Sequence, residues 1–223
     1  MSHFVVPNHI IVGNGVLNEA APILKKMGNK AFIVTGKHVA VSDMMKKLIS
    51  LLDENDIRYV VFDGITGEPD DVMIENGVDL LKNSDCDFII GIGGGSPLDS
   101  AKAIAAMAVN DGSISDYNGK EISGEILPLA AIPTTAGTGS EATKFTVITD
   151  SQKGIKMLLK GDVLVPKLAI VDSEFTVSSP KSVTAATGLD ALTHAVEAYT
   201  SKKAFSMTDT LAVSAVKRIM KYL

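Results

Sequence analysis

This sequence predicts an α/β fold, a parallel sheet with helices on both faces followed by a purely helical segment, and three observations carry the prediction. Between residues 31 and 109, short β-rich runs alternate with amphipathic helical stretches at the spacing of consecutive βα units. The apolar run Phe88, Ile89, Ile90 and Ile92 ends in three glycines, Gly93, Gly94 and Gly95, directly before a helix start. After Val171 the character changes, and residues 180–223 carry helical periodicity alone. A boundary near 178 divides an α/β domain, 1–178, from 179–223, which reads as the incomplete start of a helical domain.

In chain order, residues 4–12 read as two short strands broken at Pro7-Asn8, and a helix follows with Val16, Leu17, Ala20, Leu24 and Met27 on one face. Gly28-Asn29 ends it, and residues 31–35 form a strand closed by Gly36. A helix over 41–54 turns Met44, Leu48, Leu51 and Leu52 inward, residues 57–62 form a strand, and a further helix spans 70–83. Residues 110–125 are polar and read as a surface loop. Leu129–Ile132 is a buried strand that runs into the hydroxyl-rich loop 133–141, and strands follow at 145–148 and 168–171 with a turn at 149–154 between them. In a sheet of this kind ligands bind beyond the carboxyl ends of the strands, the edge that would hold Gly36, Gly64 and Gly93 to Gly95.

Composition narrows the function. The net charge of −5, the absence of Lys/Arg runs and the lack of Trp argue against a nucleic-acid partner. A single cysteine, Cys86, excludes a disulfide framework and a Cys-rich zinc site, and is expected to be a buried, inert thiol. The start MSHFVVPNH has neither the basic nor the apolar region of a secretory signal, and no apolar run approaches membrane-span length, so a cytoplasmic protein with no membrane partner is expected. The last helical stretch reaches Leu223 without a stop signal, as if the sequence were cut off.

The glycine stretch is the first candidate site. Ser96 suits an N-cap, Pro97 the first helical position and Asp99 the acid of a capping box, and an alanine-rich helix follows. Backbone N–H groups at such a turn point outward at the positive helix end and suit phosphate. A plain tight connection is the competing reading. The turn is neither G-x-G-x-x-G, because Ser96 replaces the last glycine, nor a Walker A loop, so the nucleotide stays open. Thr134, Thr135 and Thr138 would reach the same edge, with hydroxyls able to donate to phosphate or to a ring amide. Asp190 and His194, four apart on a helix, project from one face and can share a divalent metal or form a simple surface pair. Glu197 could orient His194, and His3, His9 and His38 offer no obvious third ligand.

GIGGGSPLDSAKAIA at 91–105, PTTAGTGSEAT at 133–143 and TGLDALTHAVEAYTS at 187–201 together resemble the signature segments of the iron-containing alcohol dehydrogenase family, in its order and spacing. The resemblance implies a Rossmann-like dinucleotide-binding domain followed by an all-helical domain holding a catalytic metal, Fe(II) or, in some members, Zn. It places Gly94, Gly95, Ser96 and Asp99 at the cofactor's pyrophosphate and nicotinamide, and Thr134, Thr135 and Thr138 at its adenine and phosphate end. Thr143, Phe145 and Lys156 would also lie against the cofactor, with Asp190 and His194 as the first two metal ligands and catalytic residues. Gly36 stands where NAD-selective members resemble one another in carrying an aspartate; glycine there, with Lys37 adjacent, favours NADP over NAD. The family's two later histidine ligands have no counterpart in this sequence. The implied activity is hydride transfer between NAD(P) and a primary alcohol or aldehyde, in a homodimer. The rivals are a zinc polyol dehydrogenase of the glycerol type, a nucleotide-binding module without catalysis, and a sugar-phosphate binder.

Overall fold

The computed structural model describes residues 3–223; the sequence reading of the extreme N-terminus includes Met1 and Ser2, which lie outside the described residues. Six parallel strands form one sheet in the order β1-β8-β5-β4-β2-β3: β1 His9–Gly13, β2 Lys30–Val34, β3 Arg58–Phe62, β4 Phe88–Gly93, β5 Leu129–Pro133 and β8 Leu168–Asp172. The chain winds outward from β2 to β3, then crosses back to β4 and proceeds the other way. The β2/β4 junction is thus a topological switch point, where parallel sheets open a crevice for ligands.

Both faces are covered because strand residues alternate. Phe32, Val34 and Ile89 pack against α4 (Asp71–Lys82) and α5 (Gly95–Met107) through Ile74, Val78, Leu81 and Ile104. Ala31, Ile33, Ile90 and Ile92 face α1 (Ala21–Met27) and α3 (Asp43–Glu54) through Leu24, Met45, Leu48 and Leu52. Each large side chain buried this way stabilises the fold by about 1.5–3 kcal/mol before chain entropy is counted. Ser42 and Asp70 start α3 and α4 by accepting the N–H groups of Met45 and Met73.

Several expectations change. Residues 4–6 form no strand, and β1 is an edge strand that begins at His9. A one-turn helix, α2 (Lys37–Ala40), precedes α3. The 110–125 loop contains a 3₁₀ turn, Ile114–Tyr117, closed by a Ser113/Asp116 capping box, and buries Ile114 and Ile122. Cys86 is half-buried against the α4/α5 core, and its burial raises the thiol pKa.

The 145–148 strand is the first arm of an antiparallel hairpin, β6 (Phe145–Asp150) with β7 (Ile155–Lys160), docked on α5. Its second strand is not evident from the sequence because its outward positions Lys156, Leu158 and Lys160 mix charge with apolar bulk. The helical segment forms α6 (Lys181–Thr200) and α7 (Ser206–Tyr222), packed on each other as a hairpin. Among the described residues no helix is long and apolar enough to cross a membrane.

Candidate functional site

The glycine turn occupies the carboxyl end of β4. Gly93 has φ +149°, a conformation L side chains rarely adopt, and a Cβ there would sit 2.7 Å from Pro97 Cγ. Gly94, not Ser96, is the N-cap of α5, so Gly95 is the first helical residue. The bare glycine start leaves the first-turn N–H groups free of any side-chain cap. Gly95 is required by close approach as well, since a Cβ would meet Thr138 Cγ2 at 2.8 Å.

Asp99 does not close a capping box. Its carboxylate accepts from Ser140 Oγ and, at 2.8 Å, from the Val147 N–H, while its carbonyl accepts Thr146 Oγ1 at 2.8 Å. It therefore staples α5 to the 140–142 turn and to β6. Burial raises its pKa, opposed by Lys102 and those hydrogen bonds. Burial likewise raises the Glu141 pKa.

One groove of about 930 Å³ gathers most of the expected residues. Gly95 and Asp99 of α5, Thr138 and Thr143 of the following loop, Phe145 at the start of β6, and Asp190 and His194 of α6 all line it. A smaller recess of about 260 Å³ adds Ser96 and Lys156 and shares Gly95, Asp99, Thr138 and Val147 with the groove, so the two are continuous. The combined size suits a drug-sized or dinucleotide ligand. The helix is held to the loop by contact at Gly137, where a Cβ would lie 2.5 Å from the Thr187 carbonyl oxygen.

His194 Nε2 and Asp190 Oδ1 stand 3.7 Å apart, with side chains about half exposed toward the groove. The donor chemistry of this pair, carboxylate and imidazole, fits part of the coordination sphere of Fe(II) or Zn. Among the described residues no third His, Cys, Asp or Glu completes it.

Thr134, Thr135 and Gly36 lie near the groove without lining it, and Thr143 and Lys156, which do line it or its recess, are engaged by other side chains. Thr134 is buried; its N–H donates to the Gly93 carbonyl at 2.9 Å and its carbonyl accepts Ser179 Oγ. The methyl of Thr135 lies 3.6 Å from where a Gly94 Cβ would be. Thr143 Oγ1 accepts from Lys102, and Lys156 reaches Glu68 at 2.5 Å. Gly36 pairs with Gly64 across the neighbouring strand ends, and a Cβ at 36 would meet the Ile65 carbonyl at 2.8 Å. Sequence reasoning missed Phe4, Val147, Leu158 and Ser140, which line the groove, and Lys102 beneath it. A lysine set among Ala101, Ala103, Ile104 and Ala105 was the available signal for the last of these. A separate crevice of about 370 Å³ is bordered by Glu54, Asp172 and Glu174 against a single Lys47, a poor setting for phosphate.

The family model described as iron-containing alcohol dehydrogenase matches residues 7–173, and the C-terminal model of the Fe-containing alcohol dehydrogenase family matches residues 184–223. The chain belongs to the iron-containing alcohol dehydrogenase family. The NAD-dependent methanol dehydrogenase of Bacillus methanolicus is 40% identical over 225 residues, covering 100% of this chain and 59% of that protein. Alcohol dehydrogenase 4 of Schizosaccharomyces pombe is 42% identical, with 100% of this chain and 53% of the relative covered. A solved structure of 1,3-propanediol oxidoreductase superposes at a TM-score of 0.94 and 36% identity, over 99% of this chain and 58% of that one. Sulfoacetaldehyde reductase from Bifidobacterium kashiwanohense, solved in complex with NAD+, gives 0.91 and 34%, over 100% and 59%. This iron-containing alcohol dehydrogenase family chain thus spans between 53% and 59% of the length of these four relatives. The sheet is the Rossmann-like sheet expected.

Proposed function

We propose that this chain is the cofactor-binding part of a metal-dependent, NAD(P)-linked alcohol dehydrogenase or aldehyde reductase acting on a primary alcohol or aldehyde. The observation that carries the reading is the shared groove, lined both by Gly95 of the glycine turn and by Asp190 and His194. The free N–H groups at Gly95 and Ser96 bind the diphosphate, and Phe145, Val147 and Leu158 give the groove an apolar wall that sheds water from the nicotinamide. Asp190 and His194 would hold iron, with zinc as the alternative, and the bound metal would supply Lewis-acid polarisation of the substrate oxygen. No side chain of the groove is needed as a general base.

The proposal extends to a two-domain division near 178, to NADP over NAD, to a homodimer and to the cytoplasm. NADP is supported by the uncharged Gly36 beside Lys37, which leaves a 2′-phosphate unopposed. Edge strand β1 supports the dimer, since it exposes Ile10 and Val12 beside unpaired backbone groups. The lone free cysteine fits a reducing compartment.

Calorimetric titration with NADPH and NADH, then assay of an aldehyde with added Fe(II), tests the reading. Dinucleotide binding in the micromolar range, tighter for NADPH, is expected. Binding of sugar phosphates with no preference for dinucleotides would contradict it, and binding with no turnover in the full-length parent points to a non-catalytic module.

A further inference from the structure

Lys102 sits on α5 two turns beyond Gly95 and is fully buried, flanked in sequence by Ala101, Ala103, Ile104 and Ala105. Lysine is almost never fully buried unless something engages its charge. Here three hydrogen bonds go to one short segment: to the Thr143 carbonyl at 2.9 Å, to Thr143 Oγ1 at 3.1 Å and to the Phe145 carbonyl at 2.8 Å. That segment is the entry to β6, whose Phe145 and Val147 wall the large groove. A methionine would fill the same space without the cost of burying a charge, so packing alone does not explain an ammonium here.

We infer that Lys102 is a positioning residue for the nicotinamide half of the cofactor, pinning the Thr143–Phe145 backbone and so fixing the Phe145 wall and the Asp99 carboxylate around the ring. The inference rests on the dinucleotide reading of the groove. Asp99, on the same helix, points across to the same strand by accepting the Val147 N–H, so ammonium and carboxylate hold β6 on either side of Thr146. Without the ammonium the Thr143 and Phe145 carbonyls lose a buried donor, and the entry to β6 is free to shift.

The charges that act on the ammonium are Asp99 and Glu141, which both favour it. On the elements packed against α5, β4 and β5 carry no charged side chain, Asp150 of β6 is taken by Lys153, and Asp162 of the 162–164 turn by Lys144. On α4, Asp71 accepts the Ser151 N–H and Glu75 accepts Ser113 Oγ. Burial outweighs the two favourable charges and lowers the Lys102 pKa to about 8. The neutral amine has one donor fewer than the ammonium and no charge to strengthen its hydrogen bonds, so its hold on the Thr143–Phe145 segment weakens as pH rises past that value.

The test uses the 223-residue chain and calorimetry at pH 7. The ligands are the tighter-binding of NADPH and NADH, and the matching ADP-ribose that lacks nicotinamide. Lys102→Met is expected to weaken the dinucleotide about tenfold or more and the ADP-ribose by less than about twofold. Equal weakening of both ligands, or no weakening of either, overturns the inference while leaving the dinucleotide reading intact. Failure of the wild type to bind either ligand overturns the dinucleotide reading and this inference with it. A pH series on the wild type keeps the question open to refutation if Lys102→Met does not fold. From pH 7 to pH 9 the ratio of dinucleotide to ADP-ribose affinity should fall severalfold, and a flat ratio overturns the inference.

Discussion

The sheet and the α6–α7 hairpin are built on opposite terms. Strands β2, β4 and β5 are buried along almost their whole length, with helices closing both faces. In α6 and α7 only Gly188, Ala195 and Ala212 are buried, while Leu189, Val196, Leu211 and Met220 are exposed. The glycine turn is thus set on a rigid platform, whereas Asp190 and His194 ride on a helix held to that platform by close contacts such as Gly137 against Thr187. The proposed cofactor-binding turn and the proposed metal-ligating pair therefore draw on very different reserves of stability.

The sharpest way to break this comparison is one core truncation read beside hydrogen exchange in both regions. Phe32→Ala, in the fully buried strand β2, should cost about 3–5 kcal/mol in denaturant unfolding, and hydrogen exchange should show β4 and β5 opening only near the global limit while α6–α7 open at far lower free energy. Comparable protection in the two regions would show that they fold as one unit.

The buried lysine gives the next effect. An unfolded lysine keeps its proton up to the ordinary value of 10.5, and the folded Lys102 releases its proton near 8. Between these the unfolded state binds more protons, so this group makes stability rise with pH across the window, by on the order of 3 kcal/mol. Melting of the wild type and of Lys102→Met from pH 7 to pH 10 reads that slope as the difference between them. Its sign is opposite to the expected loss of dinucleotide affinity, which separates stability from positioning.

Gly95→Val should weaken dinucleotide binding at least about tenfold, roughly 1.4 kcal/mol, while leaving the sheet's exchange protection in place, because the added carbons meet the Thr138 methyl and fill the proposed phosphate cradle. The smallest effect belongs to the other region. Leu189→Ala, on an exposed helix position, should change stability by no more than about 0.5 kcal/mol.

Much of this division is legible in the sequence. The alternation of apolar residues in Ala31 to Val34 and the triple glycine mark the sheet and its switch point, because buried parallel strands and tight turns permit few alternatives. The i, i+4 spacing of Asp190 and His194 likewise puts them on one face. The start of α5 is less legible. Ser96 and Asp99 have the residue types of a capping box, but the helix begins two residues earlier, with Gly94 as its N-cap, and tertiary partners in Ser140 and Val147 claim Asp99. Lys102 is hidden for the same reason, since its partners are backbone oxygens of a strand some forty residues later. Residues 4–6 look like a strand by composition, yet β1 already closes that edge of the sheet, and Phe4 lies instead at the rim of the groove.

The most direct measurement is a ¹H–¹⁵N NMR titration of the chain with NADPH. Binding in the groove predicts shifts that begin at Gly94, Gly95 and Ser96 and run through Asp99 and Thr138 to the Asp190–His194 face of α6. Shifts centred on Gly15, Asp172 and Glu174, or none at the glycine turn at saturating dinucleotide, would contradict it.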